Sequence, residues 1–209
     1  MSKYYTEFIG TMFLVLVVGV AAIGNTAGEF APVAIGSILF VMIYAGAHIS
    51  GAHYNPAVTF AILIRKGITI NEAMIYWIAQ FGGAMAAWAI VSFVFEIEGP
   101  SISPISSVGK AIAAEAFGTF ALAYVVLNTA TAKANVGNSF YGLAIGFTVI
   151  ACASTFGGYS GGAFNPAVAI GVTLMKGFVW ADVWIYFAGS LLGASLAGLV
   201  FNMNNPADR

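Results

Sequence analysis

Asn55 and Asn165 are the residues whose type and spacing point most directly to chemistry. Each opens an Asn-Pro-Ala-Val phrase, at 55–58 and 165–168, and the two phrases stand 110 positions apart. Ser-Gly lies a few residues ahead of both, and both segments close with Lys-Gly, at Lys66-Gly67 and Lys176-Gly177. Asparagine is a good helix N-cap and proline is favoured at the first helical position, so helices are expected to start at Pro56 and Pro166. A capping carboxamide spends its oxygen on its own helix and keeps an NH₂ group with two donors. Two such caps facing one another would set N–H donors beside the positive ends of two helices. Water or an alcohol can accept from them, while a proton or a cation meets like charge.

The elements that would position these caps follow from length. The apolar stretches after the caps, Pro56 to Ile64 and Pro166 to Met175, run about ten residues, or roughly 15 Å of helix. A bilayer core of about 30 Å needs about 20 residues. Each segment therefore crosses half a membrane, and two entering from opposite sides meet at its middle. Short apolar segments at matching places in two repeats mark a midplane site in an inverted-repeat membrane protein.

Six further stretches are long enough to span: about 5–24, 33–48, 71–95, 110–131, 139–156 and 181–203. The halves match piece by piece. Glu7-Phe-Ile-Gly-Thr echoes Glu115-Ala-Phe-Gly-Thr, Ala34-Ile-Gly echoes Ala144-Ile-Gly, and Tyr76 with Gly83 echoes Tyr186 with Gly193. Three spans per half invert the second half relative to the first. The expected fold is an all-α membrane protein of six transmembrane helices plus two re-entrant half-helices. It forms one domain, 1–209, of two inverted repeats, about 1–98 and 108–209. Glycines within the spans, with alanines around them, allow close helix approach.

Composition agrees with a membrane setting: 60% of the 209 residues are hydrophobic and 7% charged, far from the soluble norm. A net charge of −1 without a basic run argues against a nucleic-acid partner. The start runs straight into an apolar stretch without a small-residue cleavage site, so no cleaved signal peptide is expected. Lys3, Arg65, Lys66, Lys133 and Arg209 would share one side, with Lys110 and Lys176 on the other beside Glu29, Glu96, Glu98 and Asp182. The positive-inside bias then places both termini in the cytoplasm, and 96–109 becomes an external connector. Trp77, Trp180, Trp184, Tyr4 and Tyr5 fall near span ends, as interface anchors do.

Glu7 and Glu115 sit in the first turns of long spans, where a charge is expensive. Their expected role is structural polar: accepting backbone N–H groups from the loops ahead of Pro56 and Pro166, rather than relaying protons. His48 and His53 fall in a Gly-rich loop without Cys, Asp or Glu nearby, so loop bracing is favoured over metal ligation. Cys152 stands alone, which excludes an internal disulfide and a thiolate cluster. No catalytic set or phosphate-cradling loop is present, so neither an enzyme nor a cofactor is expected. An ion-coupled transporter would need more intramembrane charge than two equivalent glutamates.

The duplicated Asn-Pro-Ala, each copy preceded by Ser-Gly, with Glu7, Glu115 and six spans, resembles the aquaporin family, the major intrinsic proteins, over essentially the whole chain. The resemblance implies a bundle of six helices with two re-entrant half-helices, usually a homotetramer with one pore per subunit in a lipid bilayer. It implies passive permeation by water or small neutral solutes, with protons excluded at the paired motifs, in line with aquaporin-type pores. Asn55, Pro56, Ala57, Asn165, Pro166 and Ala167 would line the pore. Family members usually carry Arg directly after the second Asn-Pro-Ala, where this chain has Val168. By the family's spacing the other filter positions are Ile35, Ala153 and Gly162, which together make a wide, apolar opening. The implied substrates are water, glycerol, urea, ammonia or similar molecules, and the implied residence is the cell membrane. Two alternatives stay open: a water-selective pore narrowed by Tyr159, Tyr54 or a folded external loop, and a non-conducting membrane protein.

Overall fold

The structure, a computed structural model, describes residues 1–100 and 104–208. Eight α-helices follow one another among those residues: α1 (Ser2–Val17), α2 (Ala31–Ser50), α3 (Pro56–Ile64), α4 (Ile70–Phe93), α5 (Val108–Val126), α6 (Tyr141–Ser160), α7 (Pro166–Leu174) and α8 (Val183–Asn204). Counting their short flanking turns, six are long and apolar enough to cross a membrane: Ser2–Ile23, Gly28–Ser50, Ile70–Phe93, Val108–Thr131, Tyr141–Ser160 and Trp180–Asn204. The two that are not, α3 and α7, have nine residues each and start at the two prolines. At 1.5 Å per residue, each covers about half of a bilayer core.

The helices pack as two matching sets, α1 with α2 and α4, and α5 with α6 and α8; α2 and α6 join the sets. Each half-helix reaches into the other set, with α3 lying chiefly on α8 and α7 chiefly on α4. Small residues make this closeness possible. A Cβ added at Gly83 would lie 3.0 Å from the Met12 amide nitrogen of α1, and one at Gly193 would lie 2.8 Å from that of Phe120 on α5. The two crossings are repeat equivalents, and extra bulk there would force the helices apart at about 1–3 kcal/mol. Both α1 and α5 finish in a π-helical turn, Val18–Ile23 and Leu127–Thr131, a wider coil than the α-helix continues into.

Ionic contacts sort the helix ends onto two faces. On one, Lys3 pairs with Glu72, Arg65 lies 3.8 Å from Asp208, and the Lys133 N–H donates to Asp208 at 2.8 Å. On the other, Lys176 meets Glu98 at 3.0 Å and the Asp182 carboxylate accepts from the Ile105 N–H at 2.8 Å. The Gly99 N–H donates to Met175 O at 2.7 Å, which ties the connector to the end of α7. Of the connector expected at 96–109, residues 101–103 lie outside the described residues, as does Arg209.

Two expectations need correction. Trp77 is no interface anchor: it is half-buried, and its indole N–H donates to Pro56 O at 3.1 Å, bracing the start of α3. His48 is not in the loop at all. It occupies the last turn of α2, exposed, because that helix continues to Ser50 and ends only where Gly51 turns left-handed at φ 84°.

Candidate functional site

The site is built by two short loops, 51–55 and 161–165, that carry the chain from the ends of α2 and α6 to the starts of the half-helices. Their backbone is strained: Ala52, Tyr54 and Phe164 hold φ of 51°, 49° and 49°, a left-handed region that side chains with a Cβ rarely adopt. Such residues persist only where their surroundings over-determine them. Here the surroundings are two buried carboxylates. Glu7 accepts from the N–H groups of His53 (2.9 Å) and Tyr54 (2.7 Å), from Ser50 Oγ (2.7 Å) and from Gln80 Nε2 (2.9 Å). Glu115 accepts from the N–H groups of Ala163 (2.9 Å) and Phe164 (2.6 Å) and from Ser160 Oγ (2.6 Å). Both are fully buried. Charge-assisted bonds are what make a carboxylate tolerable there.

The loop rings find prepared seats. Tyr54 and Phe164 lie where a Cβ on Gly10 of α1 or Gly118 of α5 would overlap them. Tyr54 also donates its hydroxyl to Met42 O at 3.0 Å. Tyr54 borders the cavity, but its ring is wholly buried against Gly10 and Gly46, and Tyr159, exposed beside Ser106, Ser107 and Lys110, lies off the central cavity.

The half-helices meet at their caps. Asn55 Oδ1 accepts from the Ala57 N–H at 2.8 Å, and Asn165 Oδ1 from those of Ala167 at 2.9 Å and Val168 at 3.4 Å. The nitrogens cross over: Asn55 Nδ2 donates to Phe164 O at 2.9 Å, and Asn165 Nδ2 to Tyr54 O at 3.0 Å. The sequence reading left both donors of each amide free. One is in fact spent holding the opposite loop, so at most one per asparagine remains for a guest.

A cavity of about 170 Å³ passes this junction, room for several water molecules. Asn55 and Asn165 border it, as do Ile35, Ala153, Gly162 and Val168. The walls are otherwise mostly aliphatic, for example Leu14, Val18, Leu122 and Val126 from α1 and α5. Among the lining residues none carries Asp, Glu, Lys or Arg. Pro56, Ala57, Pro166 and Ala167 do not border it. They are buried in the first turns of α3 and α7, where a proline ring and an alanine methyl pack against neighbouring helices.

His53, expected to brace the loop, borders the cavity with Nδ1 3.0 Å from Thr59 Oγ1. Its partners were not singled out from sequence: Thr59 accepts from Gln80 at 3.0 Å and donates to Asn55 O at 3.1 Å. Phe178, just past α7, borders the other end of the cavity and stacks on Tyr186. The signal for Gln80 and Thr59 was their departure from the repeat, since the equivalent positions are Ser190 and Ala169.

Two buried caps joined across a cavity, under two buried glutamates, place this chain beside known proteins. A profile of the family described as Major intrinsic protein matches residues 1–201. The chain belongs to the major intrinsic protein family. It is 33% identical to the putative aquaporin NIP4-1 of Arabidopsis thaliana, over 100% of this chain and 76% of the relative. It is 38% identical to the probable aquaporin TIP2-2 of Oryza sativa subsp. japonica, over 96% of this chain and 86% of the relative. The X-ray structure of the aquaglyceroporin from Plasmodium falciparum superimposes with a TM-score of 0.83 at 22% identity, covering 99% of this chain and 98% of that one, which shows the shared fold. As a major intrinsic protein the chain is a multi-pass integral membrane protein and a channel, not an enzyme.

Proposed function

We propose that this major intrinsic protein is a passive channel for water and small uncharged solutes such as glycerol, urea or ammonia. The observation that carries the reading is the cavity itself: it runs past the joined caps, and no Asp, Glu, Lys or Arg is among its lining residues, His53 being the one titratable ring on the wall besides Tyr54. The remaining N–H of each asparagine gives a neutral guest a donor where two helix N-termini converge. A proton or cation at that point faces two positive helix ends and finds no carboxylate in the wall, so it is turned back. Ile35, Ala153, Gly162 and Val168 form the selectivity filter, apolar and without the guanidinium usual at the Val168 position. The similar proteins named aquaporins support the substrate class.

A water-selective pore is the second reading. Phe178, an aromatic ring bordering the same end of the cavity as Ile35 and Ala153, favours it. The protein assembles as a homotetramer in the cell membrane with both termini cytoplasmic, an orientation supported by Lys3, Arg65 and Lys133 lying among the contacts of one face. Proteoliposome swelling tests the function. Water flux accompanied by glycerol, urea or ammonia flux is expected, and water flux without any of the three would leave only the water-selective reading.

A further inference from the structure

The two mouths of the cavity are furnished alike by residues that are not repeat equivalents. At one, the His53 ring lies 4.9 Å from the Tyr76 ring, with Gly51 beside it. At the other, the Phe178 ring stacks on Tyr186 at 4.3 Å and 13°, with Gly161 beside it. Tyr76 and Tyr186 are equivalents, as are Gly51 and Gly161, yet the repeat partner of His53 is Ala163 and that of Phe178 is Ile68. Each mouth thus holds an aromatic ring in the same seat, delivered from a different place in the chain. Duplication alone does not account for that.

The Phe178 ring has little freedom. Its face is covered by Tyr186, whose hydroxyl donates to Ser160 O at 2.7 Å, and a Cβ on Gly161 would overlap its edge. Gly161 sits at φ +96°, so the position suits glycine on backbone grounds as well. On that wall the four filter positions offer one Ile, one Val, one Ala and one Gly, none of them aromatic or charged. Phe164 lines the same cavity but is almost fully buried with its ring seated against Gly118, which leaves the half-buried Phe178 as the ring with the larger surface toward this end.

We propose that Phe178 is a specificity-determining residue of this mouth, a fixed ring that admits water-sized molecules and restricts solutes of several heavy atoms such as glycerol. The inference rests on the channel reading above. Its test compares water, urea and glycerol permeability of proteoliposomes holding the full chain as wild type, Phe178→Ala, Phe178→Leu or Ile68→Ala. Phe178→Ala raises the glycerol-to-water ratio by about tenfold and Phe178→Leu by about threefold, within the range over which apolar bulk discriminates. Ile68→Ala, at the repeat-equivalent position that does not border the cavity, leaves the ratio unchanged. If Phe178 only packs against Tyr186, Phe178→Ala lowers all three fluxes in proportion, which overturns the proposal. So does an unchanged ratio in Phe178→Leu, a variant that keeps most of the apolar bulk and separates the outcome from a failure to fold. Absence of water flux in the wild type would overturn the channel reading and not the placement of the ring.

Discussion

Glu7 and Glu115 hold corresponding loops in the two halves, but not with the same company. Glu115 works with a serine and two backbone N–H groups, and no fourth group among the described residues donates to it. Glu7 has the same three donors and a fourth, Gln80, whose amide continues through Thr59 to His53 and the capping residue Asn55. The second half shows what a re-entrant loop minimally needs: one carboxylate to fix two adjacent N–H groups, one of them on the strained residue Phe164. The first half shows an addition, a polar chain that ties the loop to a ring on the cavity wall. At the other mouth the ring is held by stacking instead. The same seats are filled once by hydrogen bonds and once by hydrocarbon.

The difference can be broken at its strongest point first. Replacing Glu115 by Gln turns an NH₂ toward a backbone N–H, Phe164 or Ala163, and strands two buried donors against each other. The expected cost is about 3 kcal/mol, read as a lowered unfolding midpoint of the detergent-solubilised protein. Glu7→Gln should cost about 1 kcal/mol less, because Gln80 Oε1, buried and without a partner in the native protein, can turn to accept from the new amide. Equal losses would show that the fourth donor is idle.

A smaller effect isolates the addition itself. Gln80→Leu removes a bond to a charged acceptor and should cost about 2 kcal/mol. Ser190→Ala, at the equivalent place in the second half, should cost under about 0.5 kcal/mol, since Ser190 Oγ only reaches Phe187 O of its own helix at 3.4 Å. The same melting measurement checks both, and a costly Ser190→Ala would erase the asymmetry. Smaller than the loss at Gln80, Tyr54→Phe makes the first loop like the second by deleting the bond to Met42 O, at about 1 kcal/mol and with the glutamate bonds intact.

Much of this was legible before any coordinates. The repeat located both caps, the prolines located the starts of the half-helices, and the price of a charge in lipid marked Glu7 and Glu115 as partners of the loops. Other features depend on where distant segments meet. Trp77 falls near a span end, so its position alone suggested the membrane interface, whereas its indole serves Pro56 of α3. Tyr54 is next to the motif and looked able to face the opening, but the absence of a Cβ on Gly10 draws its ring into the bundle. The free donors of the caps were overcounted because the crossed bonds to Phe164 and Tyr54 join residues more than a hundred positions apart. Phe178 carried no motif. Its role arises from Tyr186 and Gly161 closing around it.

The central claim is that neutral molecules thread the junction of the two asparagine caps while charge is refused there. Stopped-flow shrinkage of proteoliposomes loaded with a pH-sensitive dye reads both quantities on one sample. The account predicts water permeability well above that of empty vesicles with no added proton leak. Shrinkage no faster than in empty vesicles, or a proton flux that rises together with the water flux, would contradict it.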